Sequence, residues 1–375
     1  MLGLYIHIPF CAAICNYCNF NRGLFDAAQK ARYVDALVRD IATRPCNRFG
    51  DPADTIYFGG GTPSLLAPAD VARVIAACRD AFDVTADAEI TLEANPESVD
   101  PAKLAAFRAA GVNRLSFGVQ SFRDAELRRL SRLHDAARAG AALAEARAAG
   151  FDNVSLDLMM WLPEQRVDEW LASVDAAIAC APEHLSLYLL EVYPNAPLRD
   201  TMARAQWSQA PDDDAAAMYL SAMERLDAAG YEQYEISNVA RPGRASRHNL
   251  KYWTDGEWFA FGCGAHGTIG GVRSKNVSAI DEYIDRLARG ESPVSEAHRM
   301  DAAEQLGDAL FTGLRLTGGI NLDTVRARYG VDVWAKYRTD LAPFLEAGLL
   351  RREGEVLALT RRGMLLANEV MTVFV

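Results

Sequence analysis

Apolar positions along the chain follow two alternating periods. Six short runs rich in β-branched and aromatic residues are predicted strands: Leu4–Ile8, Thr55–Phe58, Glu89–Leu92, Arg114–Phe117, Val154–Leu158 and Leu185–Leu190. Between them, apolar residues at helical spacing in alanine-rich segments predict helices over Ala31–Ile41, Pro68–Phe82, Pro101–Ala110, Ala136–Ala149 and Val167–Ala179. Strands that alternate with helices of this length form parallel sheets. The pattern predicts an α/β fold, a partial (β/α)6 barrel rather than a closed eight-fold one.

The last part of the chain has a different pattern. It predicts helices over Ala302–Leu314, Leu322–Tyr329 and Trp334–Ala347, short strands over Leu349–Arg352 and Val356–Thr360, and a final helix over Arg362–Phe374. Helices followed by a small hairpin indicate a winged-helix-like domain. We therefore expect a barrel over 1–240, a connecting segment over 241–292 and a C-terminal helical domain over 293–375.

Charge narrows the possible partners. Winged helices often bind DNA, but residues 296–375 hold ten Arg and Lys against eleven Asp and Glu, which leaves no basic face. The net charge of the chain is −11, which argues against a general nucleic-acid binder. We expect the C-terminal domain to be a lid or a docking module, with no nucleic-acid partner.

The composition is that of an ordinary globular protein, with 50% hydrophobic and 24% charged residues. There is no basic leader, and no apolar run reaches the roughly 18 residues of a membrane span. We expect a cytoplasmic protein with no stable membrane insertion. Seven cysteines, an odd number in a long chain, argue against a disulfide framework.

Three cysteines at spacing C-x3-C-x2-C, Cys11, Cys15 and Cys18, follow the first predicted strand. Thiolates are soft ligands that suit iron–sulfur clusters and zinc. A cubane cluster held by three cysteines leaves one iron open to a small molecule. The alternative is a structural zinc site with His7 as fourth ligand, but such sites usually combine two separated pairs of ligands. The spacing favours the cluster.

Polar and glycine residues follow the other predicted strands, at the end of a barrel where chemistry takes place. Gly59–Gly61 follow the second strand, and Glu93, Gln120 and Asp157 follow the third, fourth and fifth. Consecutive glycines let a backbone approach a ligand, although they also form tight turns. Buried carboxylates need a partner, which is a ligand hydroxyl or ammonium group, or a structural salt bridge. Their convergence on one rim favours a binding site.

The cysteine spacing resembles that of the radical S-adenosylmethionine (SAM) superfamily. A set of segments, in order, resembles the HemN/HemW group within it: Tyr5-Ile-His-Ile-Pro-Phe-Cys11, Gly59-Gly-Gly-Thr-Pro-Ser64, Glu93-Ala-Asn-Pro96, Ser116-Phe-Gly-Val-Gln-Ser-Phe122, Leu130-Ser-Arg-Leu-His134 and Leu156-Asp-Leu-Met159. This group contains oxygen-independent coproporphyrinogen III dehydrogenases and haem chaperones. The similarity runs from about residue 3 to the C-terminus.

The resemblance implies a role for each matching position. Cys11, Cys15 and Cys18 would hold a [4Fe–4S] cluster. The residues that would contact SAM on that cluster are Tyr5, Gly60 and Glu93. The positions that contact a second SAM in the dehydrogenase are matched here by Tyr17, Gly61, Thr62, Gln120, Arg132 and Asp157.

Three features favour the chaperone branch over the dehydrogenase. Phe20 stands where the dehydrogenase has a further cysteine, and Tyr5 lies almost at the start, so we expect no N-terminal extension. The segment His248-Asn-Leu-Lys-Tyr-Trp253 resembles the H-N-x-x-Y-W signature of the chaperones. The resemblance implies a protein that binds a cluster and SAM, carries haem as cargo and delivers haem to haem-requiring acceptors. A homodimer is a candidate assembly. The alternative is a coproporphyrinogen III dehydrogenase, or another radical SAM enzyme acting on a tetrapyrrole.

The H-N-x-x-Y-W segment is the candidate haem site. His248 would ligate the iron, Asn249 would orient the imidazole, and Tyr252 and Trp253 would cover a porphyrin face. The alternative is that the histidine and asparagine cap a loop and the aromatic residues belong to the core. His266 and Cys263 are further candidates for the ligand.

One departure from the family falls after Asp157. The chaperones usually have a glycine before Leu-Pro, whereas this chain has Met160-Trp161 before Leu162-Pro163. We expect a tryptophan at this position to narrow the cavity over SAM.

Overall fold

The computed structural model describes residues 1–44 and 50–374. The first part of the chain contains β1 (Leu2–Ile8), β2 (Phe10–Cys11), β3 (Gly23–Leu24), α1 (Ala27–Thr43), β4 (Ala53–Gly60), α2 (Pro68–Ala81), β5 (Val84–Ala94), α3 (Pro101–Ala109), β6 (Arg114–Gln120), α4 (Asp124–Arg129), α5 (Ala136–Ala148), β7 (Val154–Met160), α6 (Val167–Ala179) and β8 (His184–Leu189). The middle part contains α7 (Pro197–Ala205), α8 (Asp212–Ala228), β9 (Glu232–Glu235), β10 (Asn238–Ala240), α9 (Arg247–Trp253), β11 (Trp258–Phe261), β12 (His266–Ile269), β13 (Val272–Asn276), α10 (Ile280–Ala288) and β14 (Val294–Arg299). The last part contains α11 (Ala302–Gly313), β15 (Ile320–Asn321), α12 (Leu322–Tyr329), α13 (Val333–Glu346), β16 (Leu350–Glu353), β17 (Val356–Leu359), α14 (Arg361–Leu365) and α15 (Ala367–Met371).

The six predicted strands lie side by side in one large sheet. Its order is β14-β13-β12-β11-β1-β4-β5-β6-β7-β8-β10-β9, and the pairs from β11 through β8 are parallel. Strands buried on both faces read as continuous apolar runs, and β1 is buried at six of its seven positions. The predicted α/β fold with a parallel sheet is confirmed.

The helix ends follow from local chemistry. Asp26, Asp100 and Asp135 each accept a hydrogen bond from a backbone N–H in the first turn of α1, α3 and α5. Gly111 and Gly150 follow α3 and α5 with positive φ, a conformation in which glycine ends helices. These turns bring each helix back across the sheet, so every strand from β4 to β8 points its carboxyl end at the same edge.

The stretch between the barrel and the C-terminal part belongs to the main sheet. The predicted connecting segment 241–292 supplies β11, β12 and β13, and β11 pairs with β1 in parallel. The boundaries at 240 and 292 stay predictions, but the segment between them is not a simple connection. The C-terminal part has a three-stranded sheet, β15-β17-β16, packed with α11–α13, and its apolar residues continue the main core.

One element prediction is wrong. The final helix expected over Arg362–Phe374 is broken at Leu366, which separates α14 from α15. Gly363 lies so close to the Leu349 carbonyl oxygen that a Cβ there would be 1.8 Å from it. The helical period marks the apolar positions, but this close backbone contact is tertiary and leaves no periodic signal.

Within the described ranges, no helix is long and apolar enough to span a bilayer.

Candidate functional site

The cysteine loop leaves the carboxyl end of β1 and lines a cavity of about 420 Å³. Cys11 is buried in β2, while Cys15 and Cys18 are half-buried in the loop and joined by a backbone hydrogen bond of 3.2 Å from the Cys18 N–H to the Cys15 carbonyl. All three border the cavity. Burial raises the pKa of Cys11 and Cys18, so the loop alone disfavours their thiolate forms.

The donor set fits a cluster better than a zinc ion. In residues 1–44 and 50–374, no three His, Cys, Asp or Glu side chains converge closely enough to hold a single ion. A cubane cluster does not require such convergence, because each cysteine binds a different iron. His7, the fourth zinc ligand in the alternative, uses both ring nitrogens elsewhere: Nε2 donates to the Asn21 carbonyl (2.8 Å) and Nδ1 accepts from the Tyr5 hydroxyl (3.1 Å). The structure therefore does not support zinc with His7.

Two donors point at the cysteine sulfurs. The Thr62 hydroxyl donates to Cys11 Sγ at 3.7 Å, and Arg132 Nη1 donates to Cys15 Sγ at 3.5 Å. Asn95 holds both donors, since its Oδ1 accepts from Arg132 Nη2 (2.7 Å) and its Nδ2 donates to the Thr62 hydroxyl (3.3 Å). Such contacts stabilise thiolate charge. Asn95 was not singled out from the sequence, although it lies in the Glu-Ala-Asn-Pro segment.

A carboxylate stands at the end of β5, beside the glycine segment. Glu93 Oε1 accepts from the Tyr57 hydroxyl (2.8 Å) and Oε2 accepts from the Gly60 N–H (3.1 Å). Burial, with a smaller contribution from Asp157, raises the pKa of Glu93 to about 7. Burial likewise raises the pKa of Asp157, whose Oδ1 accepts from the Ser116 hydroxyl at 3.2 Å. A cationic ligand would offset the cost of both buried charges.

The structure brings together most of the predicted SAM residues. Those that line the cavity are Tyr17, Gly60, Gly61, Thr62, Glu93, Gln120, Arg132 and Asp157. Tyr5 does not line it, because its ring lies beneath Gly59 and its hydroxyl is used by His7. Lining residues that the sequence did not single out include Met159, Tyr188 and Ser116. Ser116 and Met159 lie within segments that resemble the family, whereas the sheet register reveals that Tyr188 lines the cavity.

Gly60 is glycine for a different reason than expected. It has φ +113, and a Cβ there would lie 2.5 Å from the His7 ring. A side chain at Gly60 would therefore displace the histidine that fixes the end of the cysteine loop. The two expected roles of the glycines, ligand approach and a tight turn, do not include this packing against His7, which also requires glycine at position 60.

Two residues on the rim have positive φ without being glycine. Gln120 (φ +70) sits at a register shift between β6 and β7, where its side chain faces the cavity. Trp161 (φ +62) occupies a backbone conformation that favours glycine. Its indole N–H donates to the Ala210 carbonyl (2.7 Å), and it does not line the cavity. The expected narrowing by Trp161 is not what the structure shows.

The H-N-x-x-Y-W segment forms α9, which closes the opposite end of the barrel. His248 is 1% exposed, and its ring nitrogens bond the Thr55 hydroxyl (2.8 Å) and the Tyr252 hydroxyl (2.9 Å). Thr55 lies near the start of β4, whereas the cysteine cavity lies at the strand's end. Burial, then the nearby Lys251, lowers the pKa of His248 to about 3. The structure does not support His248 as an axial haem ligand, since neither nitrogen is free.

The other aromatic residues of α9 also have structural partners. The Tyr252 ring packs edge-on against Trp258 at 4.7 Å, and the Arg315 guanidinium lies 4.3 Å above the Trp253 ring. Arg315 belongs to the C-terminal part, so α9 joins that part to the barrel. Among the described residues no hydrogen bond joins the Asn249 side chain to His248; the Asn249 backbone N–H donates to the Ser246 hydroxyl that caps the helix.

The two alternative haem ligands differ in exposure. Cys263 is fully buried, and burial raises the pKa of its thiol to about 11, which disfavours the thiolate. His266 is exposed at the start of β12. Exposure leaves His266 as the more accessible of the two.

The chain matches known families along most of its length. Residues 5–177 match the model of the radical SAM superfamily, and residues 300–366 match the HemN C-terminal domain. The chain is 36% identical over 375 residues to the heme chaperone HemW of Bacillus subtilis, covering 100% of this chain and 99% of that one. It is 39% identical over 373 residues to the heme chaperone HemW of Mycobacterium tuberculosis, covering 98% and 93%.

The fold also matches a solved structure, the coproporphyrinogen III oxidase HemN of Escherichia coli. The TM-score is 0.87 over 100% of this chain and 89% of that one, at 24% identity. At this identity the match shows the fold alone, a radical SAM barrel with a C-terminal helical domain.

Glu93→Gln should change how stability depends on pH. The unfolded carboxyl titrates near 4.5 and the folded one near 7, so the folded state holds its proton longer and stability falls as pH rises between these values. The glutamine of the variant does not titrate, so the variant lacks this fall in stability. In urea unfolding without SAM, the stability difference between pH 5 and pH 8 should shrink by roughly 1–3 kcal/mol relative to wild type.

The matched control for this experiment is Glu369→Gln, at an exposed position in α15. It should leave the pH dependence of wild type unchanged. Parallel pH profiles for wild type and Glu93→Gln would show that the Glu93 carboxyl is not destabilised by burial.

His248→Ala should destabilise the fold. The substitution leaves two buried hydroxyls unpaired and opens a cavity, with an expected cost of about 2–4 kcal/mol in urea unfolding. His298→Ala is the control, because the His298 side chain is 63% exposed and should cost less than about 0.5 kcal/mol. Unchanged stability in His248→Ala, with a changed haem spectrum, would restore the ligand role.

Proposed function

We propose that this chain, which belongs to the heme chaperone HemW family of the radical SAM superfamily, binds haem and delivers it to haem-requiring acceptor proteins. The observation that carries the proposal is the match to two heme chaperones over nearly the whole of all three chains. The cavity supports it, because the three cysteines and their Thr62 and Arg132 donors form the kind of site that the superfamily requires.

Membership of the superfamily implies a [4Fe–4S] cluster and SAM. We assign the cluster to Cys11, Cys15 and Cys18, and the donors to their sulfurs are Thr62 and Arg132. The cluster would supply an open iron site for SAM and a source of one electron. The buried Arg132 Nε has no hydrogen-bond partner, so the guanidinium retains a donor for a ligand.

The SAM site is assigned from the positions of two carboxylates. Glu93 and Asp157 face a cavity that would hold the cationic ligand they lack, and a SAM ammonium group matches Glu93. Gly60, Gly61 and Gln120 supply backbone and amide groups on the same wall. Tyr5 acts through His7 rather than by contact, since its hydroxyl donates to His7.

The second candidate function is a coproporphyrinogen III dehydrogenase. The fold shared with HemN does not favour it, because a likeness at 24% identity carries no activity. The residue at position 20 argues against it, since the dehydrogenase has a cysteine there and this chain has Phe20, exposed at 65%. The chaperone remains the better proposal.

Anaerobic reconstitution should give about four irons and four sulfides per chain, the stoichiometry of a cubane cluster. Cys15→Ser should lose the cluster colour while keeping the fold, because Cys15 is a half-buried loop residue. Cys180→Ser, a half-buried cysteine outside the cavity, is the matched control and should keep the cluster. One zinc per chain with no sulfide would contradict the assignment.

The reconstituted protein should take up haem with a shift of the Soret band and pass it to an apo-acceptor. It should not convert coproporphyrinogen III to protoporphyrinogen with SAM and a reductant. Free haem at the same concentration is the control for transfer, since it loads the acceptor without the chaperone. Robust conversion of the porphyrinogen would overturn the chaperone proposal in favour of the dehydrogenase.

A further inference from the structure

Exposed apolar side chains gather around the mouth of the cysteine cavity. Four of them line the cavity itself and are called the collar here: Phe20, Tyr188, Leu189 and Tyr193. Their exposures are 65%, 43%, 45% and 36%. Four more exposed apolar residues flank them on the cysteine loop, its exit and the turn after Arg132: Ile14, Leu24, Phe25 and Leu133. A concentration of this kind marks a binding surface.

The cavity beneath the collar is already assigned. At about 420 Å³ it lies near the lower end of the roughly 300–1,000 Å³ range of small-molecule sites, and its walls are the cysteines and the carboxylates. A cluster and SAM together would fill it. A porphyrin is a broad, rigid plate that cannot share this space, so it would have to lie over the mouth.

We propose that the collar is the haem-docking surface, with the apolar body of the porphyrin lying across the open end of the barrel. This rests on the proposed function, since it places the cargo of a haem chaperone. Three of the four collar residues are aromatic, and aromatic faces pack well against a flat π-system. At the other end of the barrel, α9 packs over the starts of the strands and His248 is buried.

Charge at the mouth sets the orientation of the haem. Arg22 lines the mouth beside Phe20; its guanidinium donates to the Phe20 carbonyl (3.4 Å) and to the Cys18 carbonyl. Within the described part of the chain, its buried Nε has no hydrogen-bond partner, and a guanidinium attracts carboxylates. Glu191 accepts from the Tyr193 hydroxyl and also lines the cavity, where its carboxylate would repel the haem propionates. The propionates therefore lie toward Arg22.

The size of the collar favours haem over a protein partner. A stable protein interface buries about 800 Å² on each side, which takes some twenty or more residues. Four side chains around a hole match a plate-like small molecule instead. An open surface also suits a carrier, because cargo that is not enclosed passes to an acceptor without the barrel opening.

Leu189→Ser is the principal test, because Leu189 ends β8 and is separate from the cysteine loop. Leu365→Ser, at an apolar residue of 36% exposure in α14, is the matched control. Soret titration of the reconstituted full chain should show haem binding about tenfold weaker in Leu189→Ser and weaker still in Phe20→Ser/Leu189→Ser. The control should bind like wild type. Equal affinity in wild type and the double variant would overturn the collar, whereas no haem binding by wild type would overturn the proposed function itself.

A second measurement is independent of protein variants. Haem lying over the mouth blocks the exit of a ligand beneath it. Release of preloaded, radiolabelled SAM should slow at least tenfold when haem is added to wild type, and the effect should be lost in the double variant. Unchanged release with haem bound would place haem elsewhere and overturn the proposal.

Sedimentation of the haem-free protein tests whether a second copy of the chain, rather than haem, occupies the collar. Wild type and the double variant should have the same oligomeric state if the collar serves haem. A dimer that dissociates in the double variant would show that the collar is an interface between copies, and would overturn the proposal.

Discussion

The barrel depends on one constraint: polar side chains that line its interior are shielded from bulk water and need hydrogen-bond partners within the protein or a ligand. At the cavity end, Glu93 is held by Tyr57 and Gly60. At the other end, His248 is held between Thr55 and Tyr252. The two ends differ in how completely this is achieved. The His248 ring is satisfied by the protein alone, whereas the Glu93 end has a buried carboxyl whose charged form a cationic ligand would stabilise.

The sequence predicts those features that depend on residues close together in the chain. Strands, helices and the cysteine loop follow from patterns within a few residues, and these predictions agree with the structure to within a few residues, apart from the break at Leu366. The convergence of Glu93, Gln120 and Asp157 on one rim follows from a general rule for parallel barrels, so it too was predictable. What it means for SAM remains a proposal.

The role of α9 was not predictable in the same way. The His248 contact with Thr55 spans 193 positions in the chain, and no local period shows which end of the barrel a short helix enters. A histidine, an asparagine and two aromatics are equally suited to a haem pocket and to a polar core. Burial decides between these, and burial is a tertiary property. The sequence likewise does not show the positive φ of Trp161 or the close contact of Gly60 with His7.

The barrel is closed at the α9 end and open at the cysteine-cavity end, and this difference suits a carrier built on a radical SAM fold. Because α9 also holds Arg315 above Trp253, the C-terminal part is fixed to the closed end and contacts the barrel away from the mouth through this helix. The mouth is rimmed by exposed Phe20 and Leu189. An exposed apolar rim is costly in water unless cargo or a partner covers it for part of the time. The exposure of this rim therefore favours loading and unloading from solution. The cysteine loop, fixed by His7 through the Asn21 carbonyl, holds Phe20 in this position.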